Sequence, residues 1–567
     1  MELSLVAVGG VVSVVAVALL SRRVGIAAPL LLVLAGAAIG ALPRVSATDI
    51  EPQWILGGVL PPLLYSAAIN MPTTDFRRNL KPITGLAVLL VVVSTGIAGV
   101  LFHTLMPEIG WPAAFALAAV LSPTDAVAAT AVGRRLGLPS RLLVILEGEG
   151  LVNDVTALVL LRSAVAAIGA GVTVDGVIGD FIVAVVGAIG IGLLVGIVNV
   201  RIRQRISDPV MNTAISFVVP FLAYIPAEDF GFSGIFAVVV CGLVTSDLAA
   251  RYLRAEDRLT EETNWQTLAF LMEGFIFLLM GISLEDVLSY AGNHGFSIEQ
   301  AVLYGLIVAV LLIVVRVMFV VPLVAMIKRD DQRAADAKPR VEDFKQKLER
   351  DELPDDMLRH GTERVEHRIA AVSADIEFRI SQSLGWRAGA VLAWSGMRGA
   401  VTVAAAQTLP LDTPYRAELV LIAYVGAAAM LLLQGSTLPW VINRFRVQGD
   451  DPERIRNEYG DMINEISAAG LEELDRQAEG GRFSPEMIER VKRDSLIREG
   501  GARRPSEDPD RDRQQYIDLR LAVLGAERDR MLHHRRVGTY SAEVIDRTQR
   551  ILDLEEARLQ QVSGEPR

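Results

Sequence analysis

The chain has 567 residues, 51% of them hydrophobic, yet 21% are charged and the formal net charge is −11. A mean hydropathy of +0.39 is too apolar for one soluble domain of that charge content, so the chain divides into a lipid-embedded part and a polar part. Three classes are excluded: with 21 basic against 27 acidic residues the region 447–567 offers no basic face to nucleic acid, a single Cys241 excludes a disulfide framework or cysteine zinc site, and six scattered histidines lack metal-hydrolase spacing.

A helix rises about 1.5 Å per residue and the hydrocarbon layer is about 30 Å thick, so a span needs about 20 mostly apolar residues. Thirteen stretches qualify: Leu3 to Leu20, Gly25 to Leu42, Trp54 to Ile69, Pro82 to Leu105, Trp111 to Val132, Leu142 to Leu161, Ile178 to Val200, Met211 to Ile225, Phe230 to Thr245, Leu268 to Leu284, Ala301 to Ile327, Ala388 to Leu409 and Leu419 to Val441. The first lacks the basic leader of a signal peptide and reads as a retained span. Its flanks, Glu2 ahead and Arg22 and Arg23 behind, place the N-terminus outside. Later loops agree. Inner ones hold Arg77, Arg78 and Lys81, then Arg134, Arg135 and Arg141, Arg201, Arg203 and Arg205, Arg251, Arg254 and Arg258, Lys328 and Arg329, and Arg444 and Arg446; outer ones are acidic, with Arg44 and Arg416 as exceptions.

Thirteen spans from an outside start leave the last 120 or so residues in the cytoplasm. This divides the chain into a transmembrane domain, 1–446, with a charged inner loop over 328–385, and a cytoplasmic helical region, 447–567. Within the loop, Ile369, Val372, Ile376 and Ile380 are spaced for an amphipathic helix at the inner surface. In the tail, 499–513 reads as a linker, followed by a hairpin of Tyr516 to Leu532 and Ala542 to Leu559, with Ser541 as N-cap. The fold class is an all-α polytopic membrane protein.

Ionised groups inside spans cost ~3 kcal/mol or more on insertion, so each needs a reason. Leu121-Ser122-Pro123-Thr124-Asp125 interrupts the fifth span, where proline breaks the helix and Asp125 can accept from the freed amides. Ser395-Gly396-Met397-Arg398-Gly399 interrupts the twelfth, and the two run in opposite directions, as in an inverted-repeat transporter with its site at the crossing. Arg398 opposite Asp125 would balance the exposed helix ends. The sixth span carries Glu147-Gly148-Glu149-Gly150-Leu151-Val152-Asn153-Asp154. Gly150 and Asp154 share a face, leaving room for an ion, and Glu149 and Asn153 form a second such pair. Arg316, alone in the eleventh span, is the natural partner of Glu149 in a buried structural ion pair.

These residues also carry a resemblance. Gly58-Val59-Leu60-Pro61-Pro62-Leu63-Leu64-Tyr65, Ser122-Pro123-Thr124-Asp125-Ala126-Val127, Glu147-Gly148-Glu149 with Asn153-Asp154, and Met397-Arg398-Gly399-Ala400 resemble the NhaP-like branch of the monovalent cation:proton antiporter family over residues 1 to 446. Leu552-Asp553-Leu554-Glu555-Glu556 is similar to the helical tail of bacterial members. The resemblance implies a homodimer whose subunits each have a dimerisation domain and a mobile core that moves like an elevator. It implies that Asp154 binds Na+ and H+ alternately, that Asn153 aids the local geometry, that Thr124 and Asp125 supply a carbonyl and a charge at the broken helix, that Arg398 balances it, and that Arg316 holds Glu149. Glu273, in Glu273-Gly274-Phe275-Ile276-Phe277, resembles a tenth-span motif of the animal exchangers without an assigned role. Two positions depart: Gly150 stands where many relatives carry Ser, and Ser66 where many carry Glu. Each replacement removes a ligand or gate, and a wider, wetter site would accept K+.

The mechanism expected is competition of proton and cation for one desolvated carboxylate. Because Asn153 is neutral, exchange is electroneutral, one for one. The expected function is therefore secondary exchange of Na+, Li+ or K+ for H+ across the cell membrane, with no enzymatic step and no cofactor. A channel without obligatory counter-transport and a membrane scaffold with the tail as output are the competing classes. His103 reads as interfacial, His533 and His534 as solvated, and the glycines of 187–196 as close helix packing.

Overall fold

The computed structural model describes residues 2–24, 27–41, 54–169, 174–293, 297–350, 362–410, 413–447, 449–496 and 509–563, and among these every regular element is a helix. In chain order they are α1 (Glu2–Val24), α2 (Ala28–Gly40), α3 (Leu60–Ile69), α4 (Thr73–Arg78), α5 (Leu80–Leu105), α6 (Gly110–Leu121), α7 (Ala126–Arg135), α8 (Ser140–Gly169), α9 (Val174–Arg203), α10 (Pro209–Asp229) and α11 (Gly234–Tyr252). There follow α12 (Ala255–Asn293), α13 (Ile298–Glu349), α14 (Thr362–Ser381), α15 (Trp386–Trp394), α16 (Ala400–Gln407), α17 (Arg416–Phe445), α18 (Pro452–Glu479), α19 (Pro485–Leu496), α20 (Pro509–Val537) and α21 (Ala542–Ser563).

Nine helices among the described residues are long and apolar enough to cross a bilayer, and the shorter apolar helices Val8–Ser21, Ala28–Gly40 and Ile55–Ile69 accompany them. The protein is thus a multi-pass membrane protein. Large apolar side chains such as Val186, Val310, Met318 and Val321 are exposed on the spans, as a hydrocarbon solvent permits. Inside, small residues let helices touch. A Cβ on Gly281 of α12 would lie 2.7 Å from Gly36 Cα of α2, and one on Gly192 of α9 would lie 2.7 Å from Val240 Cβ of α11, which is close packing within the glycine run 187–196.

Several sequence expectations change. The helix does not stop where the apolar stretch of the eleventh span ends near Ile327: α13 runs on to Glu349, so the first third of the expected loop is helix. Residues 328–338 contain no glycine and are rich in Ala, Arg, Lys and Gln, which sustain helix beyond the apolar stretch. Arg141 of α8 anchors the extension, its NH1 and NH2 donating to Asp331 at 3.1 and 3.2 Å while Nε reaches Asn79 Oδ1 at 3.0 Å. Arg141 and Arg203, counted as loop charges, are both buried; Arg203 donates to Glu261 at 2.9 and 2.7 Å and to Asn212 at 2.6 Å. The amphipathic helix α14 forms as expected, but it packs on the protein: Ile369, Ile376 and Phe378 are buried and Val372 is exposed.

In the tail, Met462 and Ile466 of α18 join Leu524, Met531, Val544 and Leu552 of the α20–α21 hairpin in a core of their own. Pro509 already starts α20, so only 499–508 of the expected linker stretch lies outside the described residues. Ser541 is not the expected N-cap; its Oγ is buried without a hydrogen-bond partner among the described residues and its N–H is taken by Glu458 at 3.2 Å.

Candidate functional site

Two spans break, and they cross at the breaks. Between α6 and α7 the chain is extended at Asp125 (φ −87°, ψ 116°), and Asp125 Oδ1 accepts from Val127 N at 2.8 Å, an N-cap on α7. Pro123 supplies the break, since it donates no hydrogen bond to the preceding turn. The second break lies between α15 and α16, where Gly399 is extended. Asp125 N donates to Met397 O at 2.8 Å, joining the two breaks.

Arg398 takes up an exposed helix end, as the balance of charges at the crossing requires, without pairing to the Asp125 carboxylate. Its Nε donates to Leu121 O at 2.5 Å and its NH1 to Gly396 O at 2.9 Å. The anion therefore sits at the positive end of α7 and the cation at the negative end of α6, each complementing a half-helix dipole rather than the other. The glycines of the second break have separate tasks. A Cβ on Gly399 would run into the Asp125 carboxylate, and one on Gly396 would meet the Arg316 side chain, its Nε at 2.8 Å.

A polar chain links α13, α8 and the first break. Arg316 NH1 and NH2 donate to Glu149 Oε1 and Oε2 at 2.5 and 2.8 Å, and the same guanidinium reaches Leu392 O at 3.1 and 3.2 Å. Thr124 Oγ1 donates to Glu149 Oε1 at 2.6 Å and accepts from Asn153 Nδ2 at 2.9 Å, while Nδ2 also donates to Thr124 O at 2.6 Å. Thr124 is thus the bridge between Glu149 and Asn153, a link that spacing along one helix does not show. Asn153 is fully buried, and its Oδ1 has no hydrogen-bond partner among the described residues.

Asp154 stands apart from this chain. It lines a cavity of about 280 Å³ together with Thr124, Asp125, Gly150, Glu273 and Gly399, and it makes no hydrogen bond or ion pair to another described residue. Asp154, Asp125, Thr124 and Gly150 line it together, whereas Asn153, expected among them, is outside the lining and reaches the site through Thr124; Glu149, Arg316 and Arg398 stabilise the surroundings from outside the cavity. Ser66 does not line it, its Oγ lying 3.5 Å from Trp265 O. Gly150 does not open space for an ion either: a Cβ there would lie 2.7 Å from Ala126 Cβ, so glycine lets α8 approach the start of α7.

Sequence left Glu273 without a role and gave no sign of the tail-side opening. Glu273 of α12 lines the cavity, and is the ionisable group that residues 60–71 and 273–277 contribute to the lining. Its position inside an apolar span was the available signal. At the other end Arg134 and Glu147 form an ion pair of 2.5 Å, and Asn70, Met71 and Arg134 also line a second cavity of about 500 Å³ that reaches Asp546 and Gln549 of α21. The cavity at Asp154 therefore opens toward the face that carries the tail.

Known proteins resemble this chain in sequence and in fold. Residues 10–444 match the family described as sodium/hydrogen exchanger, transmembrane. An uncharacterized Na(+)/H(+) exchanger of Mycobacterium tuberculosis is 28% identical over 562 residues, covering 97% of this chain and 95% of the relative. A sodium, potassium, lithium and rubidium/H(+) antiporter of Bacillus pumilus is 30% identical over 302 residues, 52% of this chain and 45% of that one. The structure of the sodium proton antiporter MjNhaP1 from Methanocaldococcus jannaschii superposes with a TM-score of 0.55 at 18% identity, covering 79% of this chain and 100% of the other, a likeness of fold. With crossed broken helices, a cavity carboxylate and a family match over most of its length, the chain belongs to the sodium/hydrogen exchanger family of cation/proton antiporters.

Proposed function

We propose that the chain exchanges one monovalent cation for one proton at Asp154, with Asn153, Thr124 and Asp125 shaping the site. The observation that carries this reading is the contrast within α8: Glu149 is neutralised by Arg316, whereas Asp154 faces the cavity without a partner. A lone carboxylate beside a partly desolvated cavity holds either H+ or a cation and not both, which is the competition that antiport needs. Asp125 is committed to the α7 amides and Arg398 to the α6 carbonyl end, so their charges do not change during a cycle. Asn153 is neutral. The load is then neutral with either ion, and exchange is electroneutral. No covalent step or cofactor is required.

The moving body in this proposal carries α6 to α8 with α15 and α16, and slides against a wall built from α3 and α12. The second wall belongs to a dimerisation domain, and two copies pair through it. In this reading the N-terminus is outside and the tail in the cytoplasm, an orientation supported by the basic loops, and the described cavity is then inward-facing. The division at residue 446 separates this transmembrane unit from a cytoplasmic one. Na+, Li+ and K+ are all candidate substrates; the Bacillus pumilus relative, named for four alkali cations, supports a broad set.

The test is cation-triggered proton efflux from acid-loaded proteoliposomes at clamped membrane potential, with Na+, Li+ and K+ added in turn. Wild-type protein is expected to respond and Asp154→Asn to give no exchange while remaining monodisperse with an unchanged melting temperature. Normal turnover by folded Asp154→Asn would sink the assignment. A response that builds up membrane potential when the clamp is released would overturn the one-for-one ratio.

A further inference from the structure

A cavity of about 740 Å³ lies between the tail and the tail-side ends of the spans, away from Asp154. Five arginines converge on it from three elements: Arg77 and Arg78 of α4, Arg251 of α11, and Arg535 and Arg536 of α20. Three aspartates, Asp247, Asp375 and Asp529, share the lining, which leaves it two positive charges in excess. The excess is greater locally, because the pairing is uneven. Arg78 is satisfied by Asp375 at 2.6 Å and by Gly538 O at 3.0 Å. Arg77, Arg251, Arg535 and Arg536 have no carboxylate within ion-pair distance among the described residues; Arg535 donates to Gln549 at 3.1 Å, and Arg251 lies 5.5 Å from the Tyr252 ring centroid.

Basic residues at span ends need no explanation when they face water singly. Here they line one half-open cavity, and two of them come from a tail helix that no bilayer rule places there. Guanidinium groups converging in excess of the carboxylates beside them repel one another, and a multivalent oxyanion relieves that repulsion while accepting paired N–H donors. The height of the cavity narrows the chemistry. It adjoins Leu80, the first residue of α5, and Tyr252, the last of α11, with Leu80 exposed; ends of apolar spans are where the headgroups of a surrounding bilayer would reach.

We propose that this arginine-lined cavity binds a phosphate-bearing anion, supplied by an anionic phospholipid headgroup or by a soluble polyphosphate, and so ties the tail hairpin to the membrane helices. Arg251 and Arg535 grip it from opposite sides of the joint. The site does not depend on the cation carboxylate.

Thermal unfolding of the purified full-length chain tests it in two arms. One adds inorganic pyrophosphate against chloride at equal ionic strength; the other adds phosphatidylglycerol against phosphatidylcholine in mixed micelles. A rise in melting temperature in either arm is expected, and the arm that responds identifies the source. Arg251→Gln with Arg535→Gln should weaken binding roughly tenfold for each arginine removed. Arg251→Lys with Arg535→Lys, which keeps the charge and loses the fork, should fall between. If the double glutamine variant does not fold, exposed Arg77→Gln alone should still lower the affinity. Asp154→Asn should bind as wild type does, so a failed antiport assignment leaves this result intact. No shift beyond the ionic-strength control in either arm, or a shift that survives the folded glutamine variants, overturns the site.

Discussion

Glu149 and Asp154 lie five residues apart on one helix and meet opposite fates. Five residues turn an α-helix by about 140°, so the two carboxylates face different neighbours. Glu149 turns to α13 and is fixed by a bidentate arginine and by Thr124, with about 2% of its surface exposed. Asp154 turns to the cavity and has no such partner. The difference teaches that a buried acid in a span becomes structural or functional according to whether a cation of the protein reaches it. One that is paired holds the scaffold, and one left unpaired is available to an ion that travels.

Breaking the paired member should have the largest effect on folding. Arg316→Met leaves Glu149 buried without its cation, which costs about 3–5 kcal/mol. Little folded protein and a sharply lower melting temperature are expected, and Glu149→Gln combined with Arg316→Met should recover most of the loss. Recovery of antiport in that double variant would sharpen the comparison, since it would show that the pair is scaffold. A double variant that folds and does not transport would break it.

Glu273 extends the unpaired class to α12, another part of the cavity lining. Removing its charge with Glu273→Gln should raise the apparent cation KM several-fold, about 1 kcal/mol, the scale of one solvent-screened charge near a bound ion. Maximal rate should change less than KM. An unchanged KM for all three alkali cations would remove Glu273 from the cation path.

The smallest effect concerns a buried acid outside the spans. Burial raises the Asp75 carboxyl from 3.8 to about 6, and Arg78, 3.9 Å away, pulls the other way. Because the folded value lies above the unfolded one, the stability from Asp75 is complete below about pH 4 and is lost as pH rises through about 6. Asp75→Asn should therefore raise the melting temperature relative to wild type at about pH 8, and by less at about pH 5. An equal shift at both values would mean that Asp75 is effectively paired, like Glu149.

Much of the embedded architecture was legible because lipid imposes a simple rule. Every span must satisfy its own backbone, so apolar length and its interruptions are written directly in the chain. Pro123 and the Gly396–Gly399 segment stood out as breaks for that reason, and the Glu149–Arg316 pair followed from two lone charges needing each other. Helix ends beyond the membrane were less legible. Water penalises neither helix nor loop there, and α13 runs past its apolar part because local propensity and the Arg141–Asp331 contact extend it.

By itself the sequence determined which segments enter the membrane, where two of them break, and which charges require partners, since each follows from local composition against a known solvent cost. Tertiary structure alone decided which groups meet. It assigned Arg398 to the carbonyl of Leu121, filled the flank of Gly150 with Ala126, turned Ser66 away from the cavity, and brought Glu273 into one lining with Asp154. These are relations between helices far apart in the chain, and their geometry depends on crossing angles and close approach that no single segment encodes.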